Sequence, residues 1–119
     1  MGTKTSGKSD TSLAKAMAQI DQIRRKISAM DLVCTGTVSR RMMKCGKSSC
    51  RCHRDSSARH GPYYEWTRME GGRFVNTKVS ASEAKVLGRG IRNYKQILRL
   101  LKRWSRASAR LIRAECQER

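Results

Sequence analysis

The chain contains 119 residues with a mass of 13.5 kDa, which corresponds to a single domain. Its 27 Lys and Arg residues against 9 Asp and Glu residues give a formal net charge of +18, and only 38% of the residues are hydrophobic. These values predict a small core that a bound metal ion would stabilise, and they argue against a large substrate pocket. Because so large a charge destabilises a compact chain by self-repulsion, we expect a polyanionic partner, with nucleic acid favoured over a membrane surface.

The cysteine pattern favours metal or redox chemistry over disulfides. The five cysteines are Cys34, Cys45, Cys50, Cys52 and Cys116. Their odd number and the clustering of three within eight positions are untypical of a secreted disulfide framework. The polar N-terminus, with Lys4 and Lys8, does not resemble a signal peptide, and no apolar run approaches the roughly 20 residues that span a bilayer. We therefore expect a cytoplasmic protein of bacterial type that does not enter the membrane.

The first half of the chain predicts a helix followed by an extended segment. Residues 1–12 are rich in Gly, Ser, Thr and Lys, and they are predicted to form a flexible basic arm. Over residues 13–31, apolar side chains recur at steps of three and four, which predicts one buried face of a helix. These side chains are Leu13, Met17, Ile20, Ile23, Ile27 and Met30. Residues 32–43 are rich in Val and Thr and favour a strand, and a cysteine-rich knuckle follows from residue 44 to about residue 61.

The second half predicts a hairpin and a long helix. Strands are expected over 63–69 and 73–79, joined by a tight turn at Gly71 and Gly72. Ser80 and Glu83 have the spacing of a capping box, so a helix should cover residues 80–116, with a kink or late start near its early glycines, Gly88 and Gly90. Its predicted apolar stripe contains Leu87, Ile91, Tyr94, Leu98, Leu101 and Ile112, widened by Trp104 and Leu111.

Together these elements predict an α+β fold with an N-terminal helix, a small antiparallel three-stranded sheet carrying a zinc knuckle, and a long, basic, amphipathic C-terminal helix. Residues 13–119 are expected to form one zinc-stabilised domain. The two helices should pack as an antiparallel pair through their apolar faces. Because the long stripe exceeds what the first helix can cover, its end is either bare or contacts another protomer or a larger partner.

The knuckle has the residue types and spacing of a zinc site. Cys45, Cys50 and Cys52, joined by short loops with Gly and Ser, and His60 eight positions later would give four tetrahedral ligands. His53 is an alternative fourth ligand, with Cys34 and Cys116 as more distant alternatives. Reduced free thiols and redox chemistry are the competing interpretations. A closed site with four protein ligands predicts a structural role, because it has no open position for water.

Several of these motifs together resemble a known family. They are the run from Gly36 to Arg41, the sequence CGKSSCRC from Cys45 to Cys52, and HGPYY over residues 60–64. They are similar to an uncharacterised family of small prokaryotic proteins with a CGK-x-x-C-x-C knuckle, an HGPY-type strand start and a C-terminal helical segment. The resemblance covers about residues 32–101. It implies zinc binding and a loose association with mobile elements, without an established activity.

Cationic side chains form two groups that are candidates for binding nucleic acid. The first group surrounds the knuckle: Arg40, Arg41, Lys44, Lys47, Arg51, Arg54 and Arg59. The second follows the long helix, together with Lys85: Arg89, Arg92, Arg99, Arg103, Arg106, Arg110 and Arg113. Helical spacing places the second group on the face opposite the predicted apolar stripe. Arginine predominates, and its planar fork suits phosphate oxygens.

These observations predict a non-enzymatic zinc-containing nucleic-acid-binding accessory protein, with DNA favoured over RNA, in a DNA transaction of a mobile element or phage. One alternative is a binder of structured RNA or of the ribosome. Another is an interaction subunit whose long helix docks an acidic partner enzyme or forms a homodimer. No catalytic residues are expected, because the nine carboxylates lack the pairing typical of metal-dependent nucleases. Tyr63, Trp66 and Phe74 are expected in the core rather than on a surface that stacks bases.

Overall fold

A computed structural model describes the backbone of residues 3–117 and the side chains of residues 11–116. The five main elements are α1 (Thr3–Ser28), β1 (Thr37–Met43), β2 (His60–Glu70), β3 (Arg73–Val79) and α2 (Ala81–Gln117). Two short 3-10 helices, Arg51–His53 and Ser56–Ala58, lie between β1 and β2. This order confirms the predicted α+β fold with two helices and a three-stranded antiparallel sheet. Within the described residues, no helix is long and apolar enough to cross a membrane.

Helix α1 differs from its prediction at both ends. It begins at Thr3 rather than at residue 13, and it ends at Ser28 rather than at residue 31. A helix therefore takes the place of the flexible arm predicted for residues 3–12, while residues 1 and 2 lie outside the described part of the chain. No proline interrupts this stretch, and extending an existing helix adds one backbone hydrogen bond for each residue fixed. The polar composition of the segment therefore does not stop the helix.

The chain divides into two compact units, while the single domain expected over residues 13–119 stays a prediction. The sheet unit is Leu32–Tyr94, which contains the sheet, the knuckle and the first part of α2. The helical unit combines α1 with the residues of α2 from Lys95 onward.

The sheet has the strand order β1-β2-β3, with both neighbouring pairs antiparallel. The β2–β3 hairpin closes through Gly71 and Gly72, whose φ angles are +57° and +80°, between the paired residues Glu70 and Arg73. A two-residue turn with positive φ at both central positions matches the right-handed twist of the strands, and glycine adopts it without steric cost. This confirms the hairpin turn predicted from the sequence.

A capping box starts α2 immediately after β3. The Glu83 backbone N–H donates to Ser80 Oγ at 3.1 Å, and the Ser80 backbone N–H donates to Glu83 Oε1 at 2.8 Å. Hydrogen bonds from the backbone and side chain of Ser80 lower the pKa of Glu83. The reciprocal bonds satisfy two donors that a helix N-terminus otherwise leaves unpaired, as the sequence predicted.

The segment before β1 packs against α2 at a glycine. The Cys34 backbone N–H donates to the Gly90 carbonyl at 3.0 Å, and Asn93 Nδ2 donates to the Leu32 carbonyl at 2.8 Å. A Cβ atom at Gly90 would lie 2.7 Å from Cys34 Sγ and 3.1 Å from the Cys34 backbone nitrogen. Close packing therefore requires glycine here, and α2 is one continuous helix without the late start expected near Gly88 and Gly90.

Two alanine substitutions test this close approach. Gly88→Ala should raise the unfolding free energy by about 1 kcal/mol, because alanine favours a helix and an added Cβ meets only Arg92 Nη1, at 3.5 Å. Gly90→Ala has the same helix-propensity gain, but overpacking against Cys34 should cost about 1–3 kcal/mol and make the variant less stable than Gly88→Ala. Thermal unfolding followed by circular dichroism measures both. Equal stabilisation by the two substitutions would contradict the close contact.

The helical unit buries small and aliphatic side chains. Ala16 and Ile23 of α1 and Leu100 and Ala107 of α2 are each at most 2% exposed. A groove lined by Leu13 and Met17 of α1 is also lined by α2 residues near its end: Leu111, Ala114 and Glu115. The groove therefore places Leu13 and Met17, near the middle of α1, beside the last turns of α2.

The prediction of which apolar side chains of α2 are buried is wrong in the helical unit. Leu98, Leu101 and Ile112 were expected to face inward, but their exposed fractions are 44%, 47% and 60%. The residues that α2 buries follow from its helical geometry. Leu100 and Ala107 are the buried residues of α2 in the helical unit, and their spacing of seven places them on one face of the helix. On α1, Met17 is similarly exposed while Ala16 is buried.

Candidate metal centre and basic surfaces

Three thiols and one imidazole come together at the knuckle. The ligand atoms of Cys45, Cys50, Cys52 and His60 all lie within 4.8 Å of one another. The strand pairing explains why, since Met43 at the end of β1 is the partner of His60 at the start of β2. Cys45 follows Met43 by two positions, and the connection between the strands returns Cys50 and Cys52 to the same place. The structure thus brings together all four residues predicted as metal ligands.

The distances in this cluster suit a tetrahedral metal ion. Cys45 Sγ and Cys52 Sγ are 3.6 Å apart, and Cys50 Sγ and His60 Nε2 are 3.4 Å apart. In a tetrahedron with zinc–sulfur bonds of about 2.3 Å and zinc–nitrogen bonds of about 2.05 Å, these separations would be about 3.8 Å and about 3.6 Å. The donor set and its geometry therefore fit a site of three thiolates and one imidazole.

Backbone hydrogen bonds hold the loop that carries the thiols. The Cys50 N–H donates to the Lys47 carbonyl at 3.0 Å, and the His53 N–H donates to the Cys50 carbonyl at 3.1 Å. The Cys45 N–H points to Cys52 Sγ at 3.3 Å. Cys52 is 1% exposed and is the only one of the four clustered residues that is buried. The loop therefore orients the sulfur atoms through its own backbone.

The protein lowers the pKa of one thiol and raises that of another. A backbone hydrogen bond at Cys52, together with the imidazole of His60, lowers the pKa of Cys50 to about 6. The backbone of Lys47 lowers the pKa of Cys45, but desolvation and the neighbouring thiols raise it by more, so the net direction is upward. The lowered pKa favours the thiolate at Cys50 and the raised pKa favours the thiol at Cys45, so metal binding at Cys45 would release a proton.

The alternative ligands lie in other environments. His53 has a ring nitrogen, Nε2, 2.8 Å from the Cys45 carbonyl oxygen, where its N–H donates and holds the backbone beside the site. Cys34 packs against Gly90, and Cys116 is exposed on the helical unit. The cluster therefore contains His60 and neither His53 nor a further cysteine. His53 supports the loop, a role that its adjacency to Cys52 did not suggest.

Substitution of the two histidines separates these roles. His60→Ala removes a ligand, so we expect the protein to bind metal much more weakly. His53→Ala removes one hydrogen bond to the backbone, so the variant should keep one metal per chain and lose about 1 kcal/mol of unfolding free energy. Metal analysis after dialysis against a weak chelator measures both. Loss of metal from His53→Ala but not from His60→Ala would reverse the assignment.

Comparison with known protein families gives one match for this chain. A family model described as "Domain of unknown function (DUF6788)" matches residues 14–87. The chain belongs to the DUF6788 family. Neither the curated proteins nor the solved structures gave a match.

The DUF6788 match includes the four clustered residues, all three strands and the start of α2. It confirms the predicted resemblance to a family without an assigned function, although it covers residues 14–87 rather than 32–101. The prokaryotic origin and the link to mobile elements stay predictions. The residues of α2 after position 87 lie outside the match, so the family says nothing about the C-terminal cations.

The cations around the metal centre are exposed, and two of them have anionic partners. Arg41 Nη1 lies 3.0 Å from Glu65 Oε1, and Arg51 Nη2 lies 3.2 Å from Asp55 Oδ2. The other members of the predicted group are exposed and form no ion pair with a described carboxylate: Arg40, Lys44, Lys47, Arg54 and Arg59. This leaves a positive surface beside the thiols.

The C-terminal part of α2 carries a second positive surface. We define the arginine row as the residues Arg99, Arg103, Arg106, Arg110 and Arg113, all of which are exposed. Their steps of four and three residues keep them on one face over about 21 Å of helix. Lys95 and Lys102 lie nearby, and Glu115 is the only carboxylate between positions 95 and 116. None of the row pairs with a described carboxylate. Arg89 and Arg92, the other predicted members, are exposed in the sheet unit.

The prediction that the aromatic side chains of the hairpin are buried in the core is only partly correct. Trp66 is half-buried, its Nε1 donates to the Thr35 carbonyl at 2.8 Å, and the Arg68 guanidinium lies 3.8 Å from its ring centroid. Phe74 was also expected in the core, but it is 79% exposed, and Tyr63 is 40% exposed. Strand alternation could have indicated this, because Trp66 and Phe74 occupy positions that face opposite sides of the sheet.

Proposed function

We propose that the protein is a non-enzymatic, zinc-containing accessory protein that binds nucleic acid, with DNA favoured over RNA. The arginine row carries this proposal. Five exposed guanidinium groups share one helix face without a described carboxylate partner, in a chain with a net charge of +18. Such a surface repels itself until a polyanion neutralises it. Phosphate is the anion that suits it, because each guanidinium can donate two parallel hydrogen bonds to phosphate oxygens.

Zinc is the proposed metal. Three thiolates and one imidazole form a set of ligands that zinc binds in structural sites, and four protein ligands leave no position for a reactive water. The metal would therefore stabilise the knuckle, while the exposed cations beside it, such as Lys44 and Lys47, add phosphate contacts. These contacts supply affinity without reading base sequence. An accessory role in a DNA transaction of a mobile element or phage rests on the sequence resemblance.

The experiment is a set of binding titrations with the full chain. Fluorescence anisotropy would measure its affinity for duplex DNA, single-stranded DNA and a folded RNA, each between about 50 and 200 mM salt. We expect binding that weakens steeply with salt, with DNA bound at least as tightly as RNA. Tighter binding to folded RNA would favour the structured-RNA or ribosomal alternative, and absence of binding to all three would overturn the proposal.

A second candidate function is supported by a different surface. Leu98, Leu101 and Ile112 form an exposed apolar group on α2, away from the arginine row, and Met17 of α1 is also exposed. Such a group suits a protein-interaction subunit that docks a partner enzyme or a second copy of the chain. A stoichiometric complex that survives nuclease treatment would favour this function over nucleic-acid binding.

A further inference from the structure

The two faces of the sheet have different surroundings. Trp66, Thr77 and Val79 face the start of α2, where they line a groove with α2 residues that include Val86 and Leu87. Residues an odd number of positions away along a strand point to the opposite face. That second face, which we call the open face, carries Tyr63, Met69, Phe74, Lys78 and Arg41. All five of these residues are exposed.

The open face presents apolar side chains at the end of the hairpin. Met69 and Phe74 are cross-strand partners beside the Gly71–Gly72 turn, and their exposed fractions are 52% and 79%. Directly opposed side chains in an antiparallel pair lie about 5 Å apart, so the two form one continuous apolar contact. Because the Phe74 ring is almost wholly exposed, its burial contributes little to the stability of the fold. A flat ligand could cover it.

Two cations share this face with the aromatic residues. Lys78 Nζ lies 6.0 Å from the Tyr63 ring centroid, and Arg41 is the cross-strand partner of Tyr63. Glu65 is the only carboxylate that strand alternation places on this face among the described residues, and Arg41 pairs with it at 3.0 Å. The face therefore combines exposed rings with a net positive charge, which matches a ligand that has both flat apolar groups and anions.

We propose that the open face binds single-stranded nucleic acid and that Phe74 stacks on an unpaired base. Every base has a flat π-face that an aromatic side chain can cover, and an unpaired base exposes it, whereas a base within a duplex is covered by its neighbours. Lys78, which lies on the same face as Phe74, would then lie near the backbone phosphates. This inference rests on the proposed function, since it names the kind of nucleic-acid segment that the protein binds.

The experiment compares Phe74→Ala with the full-length wild type on a single strand of about twelve nucleotides that contains 2-aminopurine. Stacking quenches this base, so the wild type should lower its emission and Phe74→Ala should not. Loss of one stacked base should weaken single-strand binding by about 5- to 150-fold. Affinity for duplex DNA and the dependence on salt should stay unchanged, because no charge is removed. Phe74→Tyr should retain binding and quenching.

Leu98→Ala is the matched control, because it truncates another exposed apolar side chain outside both proposed nucleic-acid surfaces. It should bind the single strand like the wild type, and an unchanged melting temperature and metal content would show that each variant is folded. If Phe74→Ala binds and quenches like the wild type, the stacking proposal is overturned while nucleic-acid binding stands. If the wild type binds no nucleic acid, the proposed function itself fails.

Discussion

Removal of the metal should lower the melting temperature by roughly 10 °C or more, because metal-binding energy is folding energy in so small a protein. We expect the knuckle to depend strongly on a bound metal ion. Residues 44–59 contain no strand and only two short 3-10 helices, and Cys52 is their one buried residue. This segment has no apolar core of its own, so without a metal ion only hydrogen bonds would hold Cys45, Cys50, Cys52 and His60 together. Circular dichroism during heating, with and without a strong chelator, measures the effect.

A pair of cysteine substitutions provides the matched control. Cys52→Ser should remove the metal and lower the melting temperature as the chelator does, since it deletes the buried ligand. Cys116→Ser should change neither, because Cys116 is exposed on the helical unit. Metal analysis should find about one zinc per chain in the wild type and in Cys116→Ser. An unchanged melting temperature after complete loss of metal would show that the cluster does not stabilise the fold.

Replacement of four members of the arginine row by Gln should greatly weaken binding to nucleic acid. The variant combines Arg99→Gln, Arg103→Gln, Arg106→Gln and Arg110→Gln. If each arginine neutralises one phosphate, the slope of log affinity against log salt should flatten by about 3.6 units on duplex DNA and about 2.8 units on a single strand. The loss should be similar for different base sequences, because phosphate contacts carry no sequence information.

This variant should fold like the wild type. Glutamine is a good helix former, and all four arginines are exposed without a described ion-pair partner. Circular dichroism and metal content would verify the fold before binding is measured. A folded variant with the salt dependence of the wild type would remove the arginine row from the binding surface and favour the protein-interaction function.

The sequence predicted the features that depend on local chemistry at fixed spacing. The capping box at Ser80 and Glu83 and the hairpin turn at Gly71 and Gly72 each require particular residue types at particular positions, so the pattern itself identifies them. The metal cluster was predictable for the same reason, since Cys50 and Cys52 are close in sequence. The placement of His60 in the cluster depended on the register of β1 against β2, which the sequence left open.

The features that were missed depend on packing. The periodicity of α2 combined residues such as Ile91, which is buried in the sheet unit, with Leu98 and Leu101, which are exposed in the helical unit. Periodicity alone does not show which of the apolar residues on a long helix become buried. Phe74 was assigned to the core by residue type, whereas its exposure follows from the sheet face on which it lies.

We propose that the arginine row, rather than the total charge of the chain, binds nucleic acid. The most direct test compares the row variant with a variant that removes the same number of charges from α1, where the substituted residues are Lys15, Arg24, Arg25 and Lys26. The measurement is the salt dependence of duplex DNA affinity. We expect the slope to flatten by about 3.6 units in the row variant and to stay within about one unit of the wild-type slope in the α1 variant. Equal slopes in the two variants would contradict it.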